Sequence, residues 1–167
     1  MKAKGKIILM ATCLLLVSVW VDATDYKGWL PLIPETLGGL AKSGDPDGIN
    51  MEMSGQSWSS LQQNYTDNSN KRASLTIVSG VIAPQAQAFQ AMSQMQMETQ
   101  DQIIKTVNVS GYKAVLQLNK ANKSGGLMIS LGEQTLVVIE GEPITNEGEL
   151  TSLAKEVPLK DIATQAK

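Results

Sequence analysis

IIKTVNVSGYKAVLQLNKANKSGGLMISLGEQTLVVIE, residues 103–140, decides the fold. Four apolar runs, rich in β-branched residues, span 103–109, 112–118, 126–131 and 134–140. They are joined by Ser110-Gly111, residues 119–125 and Gly132-Glu133. Those connections have the length and composition of hairpin turns, so the runs read as successive antiparallel strands. Leu136-Val137-Val138-Ile139 is the most continuous apolar stretch, which places its strand near the centre of a sheet.

Working toward the N-terminus, Ile49, Met51 and Met53 alternate with polar residues. Residues 58–66 and 71–82 follow as strand candidates, divided by the turn cluster Asp67-Asn68-Ser69-Asn70. Pro84 opens a helix expected to run from 84 to 101, since proline fits a helix's first turn. Phe89, Met92 and Met95 recur on one side of it, filled in by Ala88 and Ala91. Residues 147–157 predict a second helix with Leu150, Leu153 and Ala154 as its core face. Pro158 breaks it, and 159–166 continue as a short terminal helix. The order β-β-β-α-β-β-β-β-α predicts an α+β domain: an antiparallel sheet of about six or seven strands, with one long and one or two short helices packed on it.

Residues 24–48 are expected to be irregular. Trp29 to Pro34 holds two prolines, Pro34 to Leu40 has room for one helical turn stopped by Gly38-Gly39, and Asp45-Pro46-Asp47-Gly48 is a turn signal in which Gly48 would accept positive φ. The domain plan is a leader at 1–23, this irregular segment at 24–48 and a single α+β domain at 49–167.

The leader reading rests on Lys2, Lys4 and Lys6, an apolar run from Ile7 to Val21, and Val21-Asp22-Ala23 as a cleavage site. That pattern predicts a secretory signal peptide, a mature start at Thr24 and an exported protein, periplasmic or secreted and of bacterial type. The run is shorter than a spanning helix requires, so cleavage is preferred over a retained anchor, and no stable membrane insertion is expected afterwards. Cys13 lies in the middle of the apolar run, which disfavours a lipid anchor on it. Three Lys and one Asp leave with the leader, so the mature chain has 11 basic and 15 acidic residues. Its net charge of −4 argues against nucleic acid as a partner.

Histidine is absent, and Cys13 is the only cysteine. Ser-His-Asp and Cys-His catalysis, a mature disulfide and nearly all zinc sites are thereby excluded. The remaining candidates are weaker than their plain alternatives. Met92, Met95 and Met97 suggest thioether copper ligands, but on a helix Met97 points away from the other two, so packing or an adaptable binding face is preferred. Asp45-x-Asp47-Gly48 lacks the later ligands of a calcium loop. Glu140 and Glu142 are the best carboxylate pair for hydrolysis, on one face if their strand continues, yet no aromatic sugar platform accompanies them. No cofactor is expected. Asn64, Asn108 and Asn122 begin glycosylation sequons, which matter only in a eukaryotic route.

From about residue 49 to 166, the two strand meanders, the Pro84 helix and the closing Leu150-Thr151-Ser152-Leu153-Ala154 helix resemble, in order and length, the PsbP-like fold group of small exported α/β/α domains. That resemblance implies a non-enzymatic accessory or binding domain of the envelope, and it carries over no functional residue. The expected function is therefore an exported, non-enzymatic module docking a protein or an apolar ligand. The surface expected to serve it comprises Phe89, Met92, Met95, Met97, Trp29 and Trp58. The alternative is a histidine-free carboxylate hydrolase built on Glu140 and Glu142.

Overall fold

A computed structural model describes residues 25–80 and 83–166. The leader, Cys13 and the Thr24 start lie outside the described residues. The described chain forms a 3-10 helix (Tyr26–Leu32) and strands β1 (Thr36–Leu37), β2 (Leu40–Met53), β3 (Gln56–Thr66) and β4 (Arg72–Ser79). Helix α1 (Pro84–Met92) follows, then β5 (Met97–Glu98), β6 (Gln102–Val109), β7 (Tyr112–Asn119), β8 (Ser124–Ser130) and β9 (Thr135–Glu142). Helices α2 (Glu147–Glu156) and α3 (Leu159–Gln165) close the chain. All nine strands belong to one sheet in the order β1-β2-β3-β4-β9-β8-β7-β6-β5, every neighbouring pair antiparallel. The Leu136–Ile139 strand is the central one.

The expected sheet of six or seven strands with one long helix is therefore wrong. Among the described residues nine strands are present and no helix exceeds the ten residues of α2. Two of the additional pairings are two-residue strands at the sheet's ends, too short to leave a periodic signal. At Gly38-Gly39, read as a helix stop, both residues take positive φ (61° and 77°) and close the β1–β2 hairpin instead. The Asp45–Gly48 stretch is a register shift inside β2 between Ser43 and Asp47, with the strand resuming beyond it. Gly48 does not take positive φ. A Cβ there would lie 2.2 Å from the Tyr26 ring, so the glycine lets the 3-10 helix settle onto β2.

The expected 84–101 helix stops at Met92. Ser93 ends it, and Gln96 to Glu98 turn back so that Met97 pairs with Ile104 and Glu98 with Ile103. Thr99 locks that turn: its hydroxyl oxygen accepts from Gln102 N at 3.0 Å, and its amide donates to Gln102 O at 2.8 Å. Met, Gln and Thr suit either state locally, and pairing with β6 decides between them.

The sheet's two faces differ. On one, the 3-10 helix, α2 and α3 cover the main core, which includes Trp29, Leu61, Tyr65, Leu75, Ile77, Leu116, Leu127, Ile139 and Leu150. Paired Gly125 and Gly141 make room for this layer, since a Cβ at either would lie 2.9 Å from Leu150 or Ile144. Asn146 caps α2 by accepting from Glu149 N at 3.1 Å, and Lys105 of β6 meets Glu147 at 2.6 Å. On the other face, α1 contacts β9 and none of its own residues is fully buried. Val78, Leu136, Val115 and Ile104 are buried on this face, outside the main cluster.

Candidate functional site

Each strand's alternation and the cross-strand register fix what the α1 face presents. Toward the turn between β7 and β8, Gly126 and Ser124 are the outward positions of β8. Gly126 pairs with Gln117 on one side and with Glu140 on the other, and Ser124 pairs with Asn119. A strand bearing small side chains thus runs between strands bearing long polar ones. Neighbouring strands lie about 4.8 Å apart, so the two walls stand about 10 Å from each other. The result is a groove along β8 within a cavity of about 660 Å³, which extends past β9 to Arg72, Ser74 and Asn64.

One wall is amide and the other is carboxylate. Glu142 is held by Arg72, whose Nη2 donates to Oε2 at 2.7 Å and whose Nε donates at 3.1 Å. Glu140 accepts from the Ser74 hydroxyl at 3.4 Å, and among the described residues no cation pairs with it. Both glutamates lie on one face, as alternation requires of positions two apart, because β9 continues through Glu142. Their backbones are about 7 Å apart along the strand. The groove therefore offers several donor–acceptor amides, one neutralised carboxylate and one uncompensated carboxylate.

The residues expected to form an apolar binding surface are dispersed. Trp29 is fully buried within the 3-10 helix, its Nε1 without an acceptor, so it belongs to the core. Phe89 and Met92 are half-buried on α1, Met95 is 46% exposed beyond the helix end, and half-buried Met97 sits on edge strand β5. Trp58 lies half-buried on β3 opposite Met51, near the other end of the sheet. Exposed Ile49 (43%), Met51 (41%) and Met53 (60%) continue this apolar row along β2. The row was legible in the alternation of 49–53, but its position on an outer strand required the topology. The groove was missed altogether, because the Gly125-Gly126 pair looks like turn chemistry until its strand partners are known.

Among the described residues no three acidic side chains gather as metal ligands, and no helix is long and apolar enough to cross a membrane. Compared with family models, curated proteins and solved structures, the chain matches none of them.

Proposed function

We propose that this protein is an exported, non-enzymatic binding domain that holds an extended segment of a partner protein in the groove along β8. The observation that carries the reading is the groove's build, a floor of Gly126 and Ser124 between amide and carboxylate walls. Its walls stand about 10 Å apart, too close for a helix with its side chains, which is about 10–12 Å across, so an extended chain is the better fit. Gln117 offers a donor and an acceptor, the complement of a peptide unit, and Asn119 and Asn64, whose Oδ1 atoms already accept from Asn122 N at 3.0 Å and Gln62 Nε2 at 3.3 Å, add their amide donors. Glu140 adds a point that favours a lysine or arginine side chain. The polar lining favours a protein segment over an apolar ligand. The leader pattern supports export.

The hydrolase alternative rests on Glu140 and Glu142 sharing one face. It is the weaker reading, because Arg72 occupies Glu142 and Glu140 lies exposed.

The test is a fluorescence-anisotropy titration with labelled extended peptides, one alternating lysine with serine and one alternating glutamate with serine. Gly126→Val fills the floor at a site where a Cβ meets nothing closer than 3.7 Å, and valine suits a strand, so the variant is expected to fold. Saturable binding of the lysine peptide, weakened by roughly tenfold or more in Gly126→Val, supports the reading. Absence of binding, equal binding of both peptides, or binding indifferent to Gly126→Val overturns it.

A further inference from the structure

Strand β1 pairs with β2 only at Leu40 and Ala41, so among the described residues no strand lies beside the outer edge of β2 from Lys42 to Met53. An open edge is a template for another strand, and proteins guard such edges with charges, prolines and bulges. Here the guards are concentrated in the first half. Lys42, Asp45, Pro46 and Asp47 surround the register shift between Ser43 and Asp47. Past Gly48 the strand is regular through Met53, and Glu52 is its one charge.

This unguarded half also carries the exposed row Ile49, Met51 and Met53, with Trp58 beside Met51. The Ser54-Gly55 turn, with φ of 55° and 75°, continues β2 directly into β3, so the segment is held rigid along its inner edge. Asn50 turns to the opposite face, where its Nδ2 donates to Asp25 at 2.8 Å. That leaves the α1 face of residues 49–53 apolar throughout.

We infer that the β2 edges of two copies of this chain pair antiparallel through residues 49–53, forming a symmetric dimer with a continuous sheet. The segment is complementary to itself. With the two-fold axis at Met51, Ile49 of each copy faces Met53 of the other, and Glu52 faces Asn50, so no like charges oppose. Because all three apolar residues share a face, the two rows and both Trp58 side chains merge into one strip. Main-chain hydrogen bonds supply the pairing, and coverage of that strip adds the apolar contribution. Such an interface presents the same patch from both subunits, as closed two-fold assemblies do. The inference is independent of the groove, which lies at the other end of the α1 face.

Sedimentation velocity of the mature protein, from low micromolar to near-millimolar concentration, tests it together with amide exchange at both extremes. A reversible monomer–dimer equilibrium is expected, with protection of residues 49–53 rising as dimer forms. Met51→Lys should shift association at least tenfold toward monomer and, at low concentration where both proteins are monomeric, leave the circular-dichroism melt unchanged, since Met51 is exposed and a charge there guards the edge. Glu52→Gln, which removes no apolar contact and opposes no like charge, should still dimerise. A monomer at every concentration overturns the inference. So does a dimer insensitive to Met51→Lys, or one whose added protection falls on α1 or on the β6 edge.

Discussion

Single residues set how closely the layers of this domain approach. Gly48 is the clearest case, since the Tyr26 ring occupies the space a side chain would need. Gly48→Ala is expected to lower stability by about 1–3 kcal/mol, the usual cost of overpacking. Tyr26→Ala in the same chain should recover part of that loss, and urea unfolding of the two single variants and the double variant measures it. Full additivity would show that ring and glycine do not meet. Tyr65 gives a second handle. Its hydroxyl donates to Pro34 O at 2.9 Å, and burial, with a further contribution from the Glu35 carboxylate, pushes its pKa up to about 12. The unfolded chain ionises near pH 10, so the fold's preference for neutral tyrosine penalises it between about pH 10 and 12 and has no effect below. Tyr65→Phe should therefore be less stable than the parent at pH 8, by about 1 kcal/mol, with the gap closing as pH rises past 10. A gap that stays constant to pH 12 would contradict the assignment. These packing roles could not be read from the sequence, because Gly48 within Asp-Pro-Asp-Gly carries every mark of a turn residue.

Elements whose apolar pattern is continuous were legible; elements defined by pairing were not. The runs at 103–109, 112–118 and 134–140 each form a strand, as does the polar candidate at 58–66 with its apolar points Leu61 and Tyr65, and the apolar Leu136–Ile139 stretch takes the centre of the sheet. Two-residue β1 and β5 exist only through their partners, and β5 takes from the expected helix the residues that would have lengthened it. The shortened α1 buries none of its residues fully, whereas β9 is paired on both sides and holds core residues at Val137 and Ile139. Local stability follows such differences in burial and pairing. Amide exchange should find α1 opening orders of magnitude faster than β9, without global unfolding. Protection of α1 equal to that of β9 would mean that its few contacts hold it far more firmly than this packing allows.

Across the whole molecule, one face of the sheet is closed by a helical layer, and the other is divided between α1 and a groove. That division arises from residues far apart in sequence: Gly126, Gln117 and Glu140 come together only because β7, β8 and β9 are adjacent. Candidate residues picked for being rare or soft, such as Trp29 and the methionines, turned out to be core or scattered, whereas the groove is built of common polar types with no local signature. The central claim is that this groove holds an extended protein segment. The most direct measurement is a backbone-amide NMR titration of residues 24–167 with the lysine–serine peptide. The account predicts saturable shifts confined to the β7, β8 and β9 residues around Gln117, Gly126 and Glu140, and their loss in Gly126→Val. Shifts absent altogether, or centred on α1 or the β2–β3 hairpin, would contradict it.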